Sequence, residues 1–214
     1  MSRQLKLLNL PKIDSLLFEK ELYSQGITKV AGLDEVGRGC LAGPVVAAAV
    51  ILHRENKIEG IDDSKKLTPK KREFLFERIK VEAVSWAVVS VSPQDIDRMN
   101  ILRASLEAMR LSLLSLDVEP EYLLIDGHEP IKSDIPQKAI KKGDARSISV
   151  GAASIVAKVT RDRMMVELEK EYPHFSFSIH KGYGTKLHLE ELKKHGPTPI
   201  HRMTFAPVMG CLRR

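Results

Sequence analysis

Apolar residues along the chain follow two periods, and the switches between them outline alternating strands and helices. Leu16, Leu17 and Leu22 mark a short helix over Asp14–Gln25, stopped at Gly26. Lys29–Asp34 and Val45–Leu52 read as strands joined by a Gly-rich turn. The run from Pro44 to Leu52 has no polar side chain and the length of a fully buried strand. Thr68-Pro69 opens a charged helix to about Glu82, with an N-cap residue before Pro at the first helical position. Ser85–Val91 is a β-branched strand. Ser92-Pro93 begins another helical stretch, continued by Leu102, Leu106, Met109, Leu113 and Leu116 at helical spacing. Tyr122–Ile125 is a short strand that ends at Asp126. The longest helix runs from Ser147 to about Tyr172, where Pro173 stops it. Its small residues Ala152, Ala153, Ser154 and Ala157 leave room for close approach to a sheet. Thr185–His195 is a final helix closed by Gly196. The pattern predicts an α/β fold: a mixed central sheet flanked by helices, with a C-terminal helical segment. With no repeat or linker in sight, residues 13–214 are expected to form one domain behind an arm of residues 1–12.

Composition narrows the class without naming a function. The 214 residues are 43% hydrophobic and 29% charged, which suits a soluble chain with one sizeable core. No run approaches the roughly 18 apolar residues of a membrane span, and the N-terminus lacks the apolar stretch of a secretory signal. Cys40 and Cys211 are far apart with no CxxC spacing, so neither a disulfide framework nor a structural zinc site is supported. A cytoplasmic location is expected. The formal charge is +6, and it is uneven: residues 127–214 hold 16 Lys and Arg against 9 Asp and Glu. A basic half suits a polyanionic partner, because Lys and Arg displace counterions from phosphates. Lys141, Lys142, Arg146, Lys158, Lys181 and Lys186 are the candidates for such contacts.

Acids at strand ends carry the chemistry. Asp34 and Glu35 follow one predicted strand, Asp126 ends another, and Asp144 precedes the long helix. Carboxylates converging from neighbouring strands repel one another unless a divalent cation sits between them. Oxygen-only ligation favours Mg²⁺ or Mn²⁺ over zinc. The turn after Glu35 contains Gly37, Gly39 and Ala42, formally a GxGxxA fingerprint. Gly43-Pro44 would break the helix such a fingerprint requires, and two adjacent acids would repel a pyrophosphate. The turn is instead a Gly-lined surface, open to close approach by a ligand.

These segments resemble the type 2 ribonucleases H, the ribonuclease HII family, in its bacterial branch. The resemblance rests on GLDEVGRGCLAGPVVAAAVIL at 32–52, DDSKKL at 62–67 and LLIDG at 123–127. It continues through KGDARSISVGAASIVAKVTRD at 142–162, HKGYGT at 180–185 and HGPTPIHRMTFAPV at 195–208. It implies a ribonuclease H-like fold, Mn²⁺ or Mg²⁺ as cofactor, and endonucleolytic cleavage of the RNA strand of RNA/DNA hybrids. It also implies incision 5′ to single ribonucleotides in duplex DNA, leaving 5′-phosphate and 3′-hydroxyl ends. Asp34, Glu35, Asp126 and Asp144 match the family's catalytic, metal-binding acids. Gly37, Arg38 and Gly39 match the element that reads the ribonucleotide, Tyr183 the tyrosine on the neighbouring deoxyribose, and Ser64 and Lys65 positions near backbone phosphates. Cys40 stands where the family more often has Pro, and His128 where Asn usually follows Asp-Gly. The segment PVMGCLRR at 207–214 has no aromatic pair of the kind that docks on a sliding clamp. A monomer without an obligate protein partner is expected. One other reading is a non-catalytic nucleic-acid-binding module whose acids hold one structural ion, against which the presence of all four acids argues. The second is a recombinase-type nuclease acting on DNA, which would leave the Gly37–Gly39 turn without a role.

Overall fold

The structure, a computed structural model, describes residues 15–55 and 58–212, so the arm of residues 1–12 lies outside the described residues. Its elements are α1 (Leu17–Ser24), β1 (Val30–Val36), β2 (Val45–Ile51), α2 (Pro69–Glu82) and β3 (Ser85–Val91). There follow α3 (Pro93–Met99), α4 (Ile101–Leu114), β4 (Tyr122–Asp126), β5 (Gln137–Ile140) and α5 (Ile148–Glu171). The chain ends in α6 (Phe177–His180), α7 (Lys186–His195) and α8 (Ala206–Leu212), and a single 3₁₀ turn, Gly143–Ala145, precedes α5.

The N-cap predicted at Thr68 is present, and three other residues read as helix starts also cap. Thr68, Ser92, Ser147 and Thr185 each accept a backbone N–H three residues on. The helical stretch after Ser92 differs from expectation, because it is two helices. Asn100 breaks it with a left-handed φ of 70° and caps α4 by accepting from the Arg103 N–H at 3.1 Å. Strand β5, with the sequence QKAI, was not expected, since two polar residues and an Ala carry no strand signal.

The sheet order is β3-β2-β1-β4-β5, antiparallel on one side of β1 and parallel on the other. Strand β2 is buried along its whole length because both faces are covered. Ala47 and Ala49 pack toward α4, whereas Ala48 and Val50 pack toward α2 and α5. A third cluster, including Leu41, Met165, Phe177, Leu192 and Val208, fastens the C-terminal helices to the turn after β1. Among the described residues no helix is long and apolar enough to cross a membrane.

Strand β1 and helix α5 meet at van der Waals distance through Gly32. A Cβ at Gly32 would lie 2.0 Å from the Ser149 carbonyl carbon and 2.3 Å from the Val150 nitrogen. Backbone therefore touches backbone, as the small residues of α5 predict. The buried Glu19 secures the same end of the helix from α1, accepting from Ser147 Oγ at 2.5 Å and the Ser149 N–H at 3.1 Å. A carboxylate there also meets the positive end of the helix dipole. Gly32→Ala has no flexible side chain to displace and must push sheet and helix apart. Urea denaturation should show a loss of at least about 3 kcal/mol. A loss below about 1 kcal/mol would show that the two can separate without penalty.

Candidate active site

Strand β1 runs on through Val36, so Asp34 and Glu35 lie within it and not after it. The parallel β1–β4 pairing ends at Leu33 opposite Ile125, which sets Asp34 and Asp126, the next residues along, side by side. The pleat sends Asp34 and Glu35 to opposite faces. Asp34 turns toward α5, where Ser154 donates to it, and is 5% exposed. Glu35 turns toward α4 and lines a cavity of about 110 Å³ with Leu102, Ser105, Met109 and Asp126. Asp144 comes from the 3₁₀ turn, which is drawn against the strand end because the Gly143 N–H donates to Asp126 Oδ1 at 2.6 Å. The four acids thus share one end of the sheet and straddle β1.

Burial lifts Asp34 well above the ordinary carboxylate range, and the charges of Glu35, Asp126 and Asp144 push it further. Burial also raises Asp126 and Glu35, opposed respectively by the Gly143 N–H and by Arg38. Among the described residues no three His, Cys, Asp or Glu side chains are already gathered as a ligand set. Arg38 holds Glu35 at 3.2 Å, and Lys65 holds Asp144 at 3.3 Å. The donor chemistry fits a hard divalent cation: the ligands are all oxygen, and a cation would relieve both the desolvation and the repulsion.

The Gly-lined turn runs from the acids to Tyr183. Gly37 has φ of 98°, and a Cβ there would meet Arg161 Nε at 2.3 Å, so the fold itself demands glycine. Gly39 is different. It is exposed, and a Cβ there would meet nothing within 4 Å, so its bareness leaves a surface open. Buried Cys40 forms a β-bridge with Tyr183, and the Leu41 N–H donates to the Gly182 carbonyl at 2.7 Å. The Tyr183 ring is 38% exposed and lies 5.8 Å from both the Lys158 ammonium and the Arg161 guanidinium. Ser64 is buried, its hydroxyl 2.9 Å from that of Ser154, so it supports the serine that binds Asp34. Lys65 beside it is exposed. Of the basic candidates, Lys141, Lys142 and Arg146 are exposed around the 3₁₀ turn, whereas Lys158 is tied to Asp162 at 2.7 Å. Lys181 is half-buried, and Lys186 stands 3.8 Å from Glu190. His128 is exposed at the rim of the Glu35 cavity.

A mixed sheet of this order, with Asp34 and Asp126 adjacent where the β1–β4 pairing ends, has the ribonuclease H-like fold, a fold of nucleases. The family model described as Ribonuclease HII matches residues 31–208. The Ribonuclease HII of Acholeplasma laidlawii is 52% identical over 202 residues, covering 94% of this chain and 99% of that one. Among solved structures, the ribonuclease H2 of Pyrococcus horikoshii is 33% identical with a TM-score of 0.72, covering 87% of this chain and 98% of the other. Bst-RNase HIII in complex with Mn²⁺ is 20% identical and shares the fold, with a TM-score of 0.66 over 94% of this chain and 73% of that one. The chain belongs to the ribonuclease HII family. It is a divalent-metal-dependent endonuclease that acts on RNA/DNA hybrids and leaves 5′-phosphate ends.

Sequence reasoning passed over the histidines behind Tyr183. The Thr198 N–H donates to His201 Nδ1 at 2.9 Å, so the proton of His201 sits on Nε2. That nitrogen faces His188 Nε2 at 3.1 Å, which leaves His188 Nδ1 to donate to the Tyr183 carbonyl at 2.9 Å. Alongside, His180 accepts the Gly182 N–H on Nδ1 at 3.1 Å and donates from Nε2 to Glu191 at 3.0 Å. Burial lowers all three pKa values, that of His201 to about 4 with His188 contributing. Below pH 6.5 the unfolded chain takes up a proton that native His201 refuses until about pH 4. The stability contributed is therefore complete above pH 6.5 and falls as the pH drops toward 4, by about 3 kcal/mol. Urea midpoints measured across this range should fall in the wild type and fall less steeply in His201→Gln. Parallel profiles would show that His201 does not carry the effect.

Proposed function

We propose that this ribonuclease incises 5′ to single ribonucleotides embedded in duplex DNA, in addition to cleaving longer hybrids, by two-metal-ion hydrolysis that leaves 3′-hydroxyl ends. The observation that carries this reading is the pairing of Cys40 and Leu41, directly after the Gly37–Gly39 turn, with the Gly182–Tyr183 loop. The Cys40–Tyr183 bridge and the Leu41–Gly182 hydrogen bond set bare backbone beside an exposed aromatic ring. The Arg38–Glu35 ion pair leads from that surface to the acids.

Ribose differs from deoxyribose only in its 2′-hydroxyl, and exposed backbone can reach that group without side-chain interference. The Tyr183 ring favours a neighbouring sugar with no 2′-oxygen. Together the two elements would recognise a ribonucleotide followed by DNA. Asp34, Glu35, Asp126 and Asp144 would hold two Mg²⁺ or Mn²⁺ ions, which when bound activate a water and stabilise the leaving 3′-oxygen. The chain's own groups keep these acids oriented: Ser154 on Asp34, the Gly143 N–H on Asp126, and Lys65 on Asp144. Lys65, Lys141, Lys142 and Arg146 would meet the phosphates of the duplex. The Mn²⁺ held by the ribonuclease HIII structure of the same fold is compatible with this donor chemistry.

Two experiments test the reading. Asp34→Asn and Asp126→Asn should each abolish cleavage at saturating Mg²⁺ or Mn²⁺ while melting no lower than the wild type, since each removes repulsion between acids. Ordinary turnover by either variant would sink the metal assignment. Tyr183→Ala should lower incision at a lone ribonucleotide by about five- to two-hundredfold, the range expected for an aromatic–nucleotide contact. Cutting within a long RNA strand should fall less. Equal losses on both substrates would mean that Tyr183 does not read the junction.

A further inference from the structure

The two largest fully buried side chains of the protein are arginines, Arg161 of α5 and Arg202 of the segment before α8, both 0% exposed. Among the described residues neither forms a salt bridge with a carboxylate. Their partners are main-chain carbonyls. Arg161 donates to Pro44 from Nε at 2.9 Å, to Lys181 from Nη1 at 2.8 Å and to Ala42 from Nη2 at 3.1 Å. Arg202 donates twice to Gly43, at 3.1 and 3.0 Å, and to Arg38 from Nη1 at 2.9 Å. Removing a guanidinium from water without a counter-charge is costly, and a core support could be built from apolar groups instead. What a planar fork offers is the fixing of several carbonyls at once.

The carbonyls bound are informative. Those of Arg38, Ala42, Gly43 and Pro44 belong to the turn after β1, whereas that of Lys181 belongs to the loop carrying Tyr183. One guanidinium, Arg161, therefore spans both elements, and it also lies beneath the Tyr183 ring. Arg202 grips the turn alone. In a trans peptide the C=O and N–H point in opposite directions. With the Arg38 carbonyl aimed inward at Arg202, the Gly39 N–H of the same peptide is aimed outward, and among the described residues it has no acceptor.

We propose that Arg161 is a positioning residue for junction recognition: it locks the Tyr183 loop to the Gly37–Pro44 turn at a fixed separation, while Arg202 orients the turn. This rests on the reading above, in which the turn and Tyr183 contact adjacent sugars. Arg161 itself touches neither substrate nor metal and acts through Tyr183.

The test compares Arg161→Lys, Arg202→Lys and Tyr183→Ala, singly and as double variants with Tyr183→Ala. Kinetics are measured on a duplex with one ribonucleotide and on a long RNA/DNA hybrid, together with amide hydrogen exchange. A lysine keeps the charge, but its donors share one nitrogen and cannot reproduce the spread of Nε, Nη1 and Nη2 over three carbonyls. Arg161→Lys should speed exchange at the Leu41 and Gly43 amides, which tie the turn to its neighbours, and leave the β1 and β2 amides unchanged. It should lower kcat/KM on the single-ribonucleotide duplex by about tenfold or more, because small misplacements are costly. The long hybrid should lose less than about threefold, and the Tyr183→Ala background should nearly abolish the extra loss. Arg202→Lys should reduce both substrates alike and add to Tyr183→Ala. Unchanged exchange at Leu41 and Gly43, equal losses on both substrates, or full additivity of Arg161→Lys with Tyr183→Ala would each overturn the proposal. If Tyr183→Ala alone shows no substrate preference, the junction reading fails, and the exchange data still decide whether Arg161 locks loop to turn. Should Arg161→Lys not fold, Arg161→Gln, which buries no charge, gives the same readouts. Failure of both to fold would make Arg161 a general support of the domain and overturn the assignment.

Discussion

A carboxylate withheld from water is the constraint around which the acid end of the sheet is organised. Asp34 is almost fully buried beside Asp126 and within the field of Glu35 and Asp144. Left to itself such a group would bind a proton and lose its use as a ligand. The surroundings supply partial compensation: the Ser154 hydroxyl on Asp34, the Gly143 N–H on Asp126, and the ammonium of Lys65 at Asp144. None of these neutralises the cluster. The remaining imbalance is one that a hard cation would relieve, and the parallel β1–β4 register that sets Asp34 beside Asp126 is a property of the fold.

The opposite sign is concentrated a short distance away. Arg161 and Arg202 are buried behind the turn with carbonyl dipoles as their solvation. Acids and guanidiniums are thus both desolvated yet do not pair with one another. Pairing would cancel each charge, whereas separation leaves the acids unneutralised at one end and the turn after β1 braced at the other. The exposed basic residues around the 3₁₀ turn add a third, solvated layer of charge, which salt screens far more readily than the buried groups.

The elements that could be read from the sequence are those whose residues announce a local rule. Thr68-Pro69, Ser92-Pro93 and Ser147 announce helix starts, and the apolar run at Val45–Leu52 announces a strand covered on both faces. Strand β5 was not legible because its QKAI is short and has a single β-branched residue, Ile140, to pack against Leu124 of β4. The break at Asn100 was hidden because no Gly or Pro stands between the start at Ser92-Pro93 and the apolar period that begins at Leu102. The acids were legible because strand-end carboxylates violate the usual burial pattern and sit within a recognisable motif. Ser64 reads like a surface residue, and only the packing of α5 shows its hydroxyl turned inward. Arg161, Arg202, His188 and His201 were overlooked for a related reason. Their roles depend on which backbone carbonyls and ring nitrogens face them, and no sequence period encodes that.

Helix α5 carries a spacing that the other elements do not. Ser154, which binds Asp34, and Arg161, which grips the turn, are separated by seven residues, close to two turns of helix and about 10 Å. They consequently project from nearly the same side, and the helix acts as a graduated rod between the acid end and the turn. Loops at the surface can lengthen or shorten with little consequence, but this rod cannot. One residue gained or lost between Ser154 and Arg161 would rotate one end by about 100° relative to the other. Natural variation in length among such chains should therefore spare this segment and collect in the connections around it.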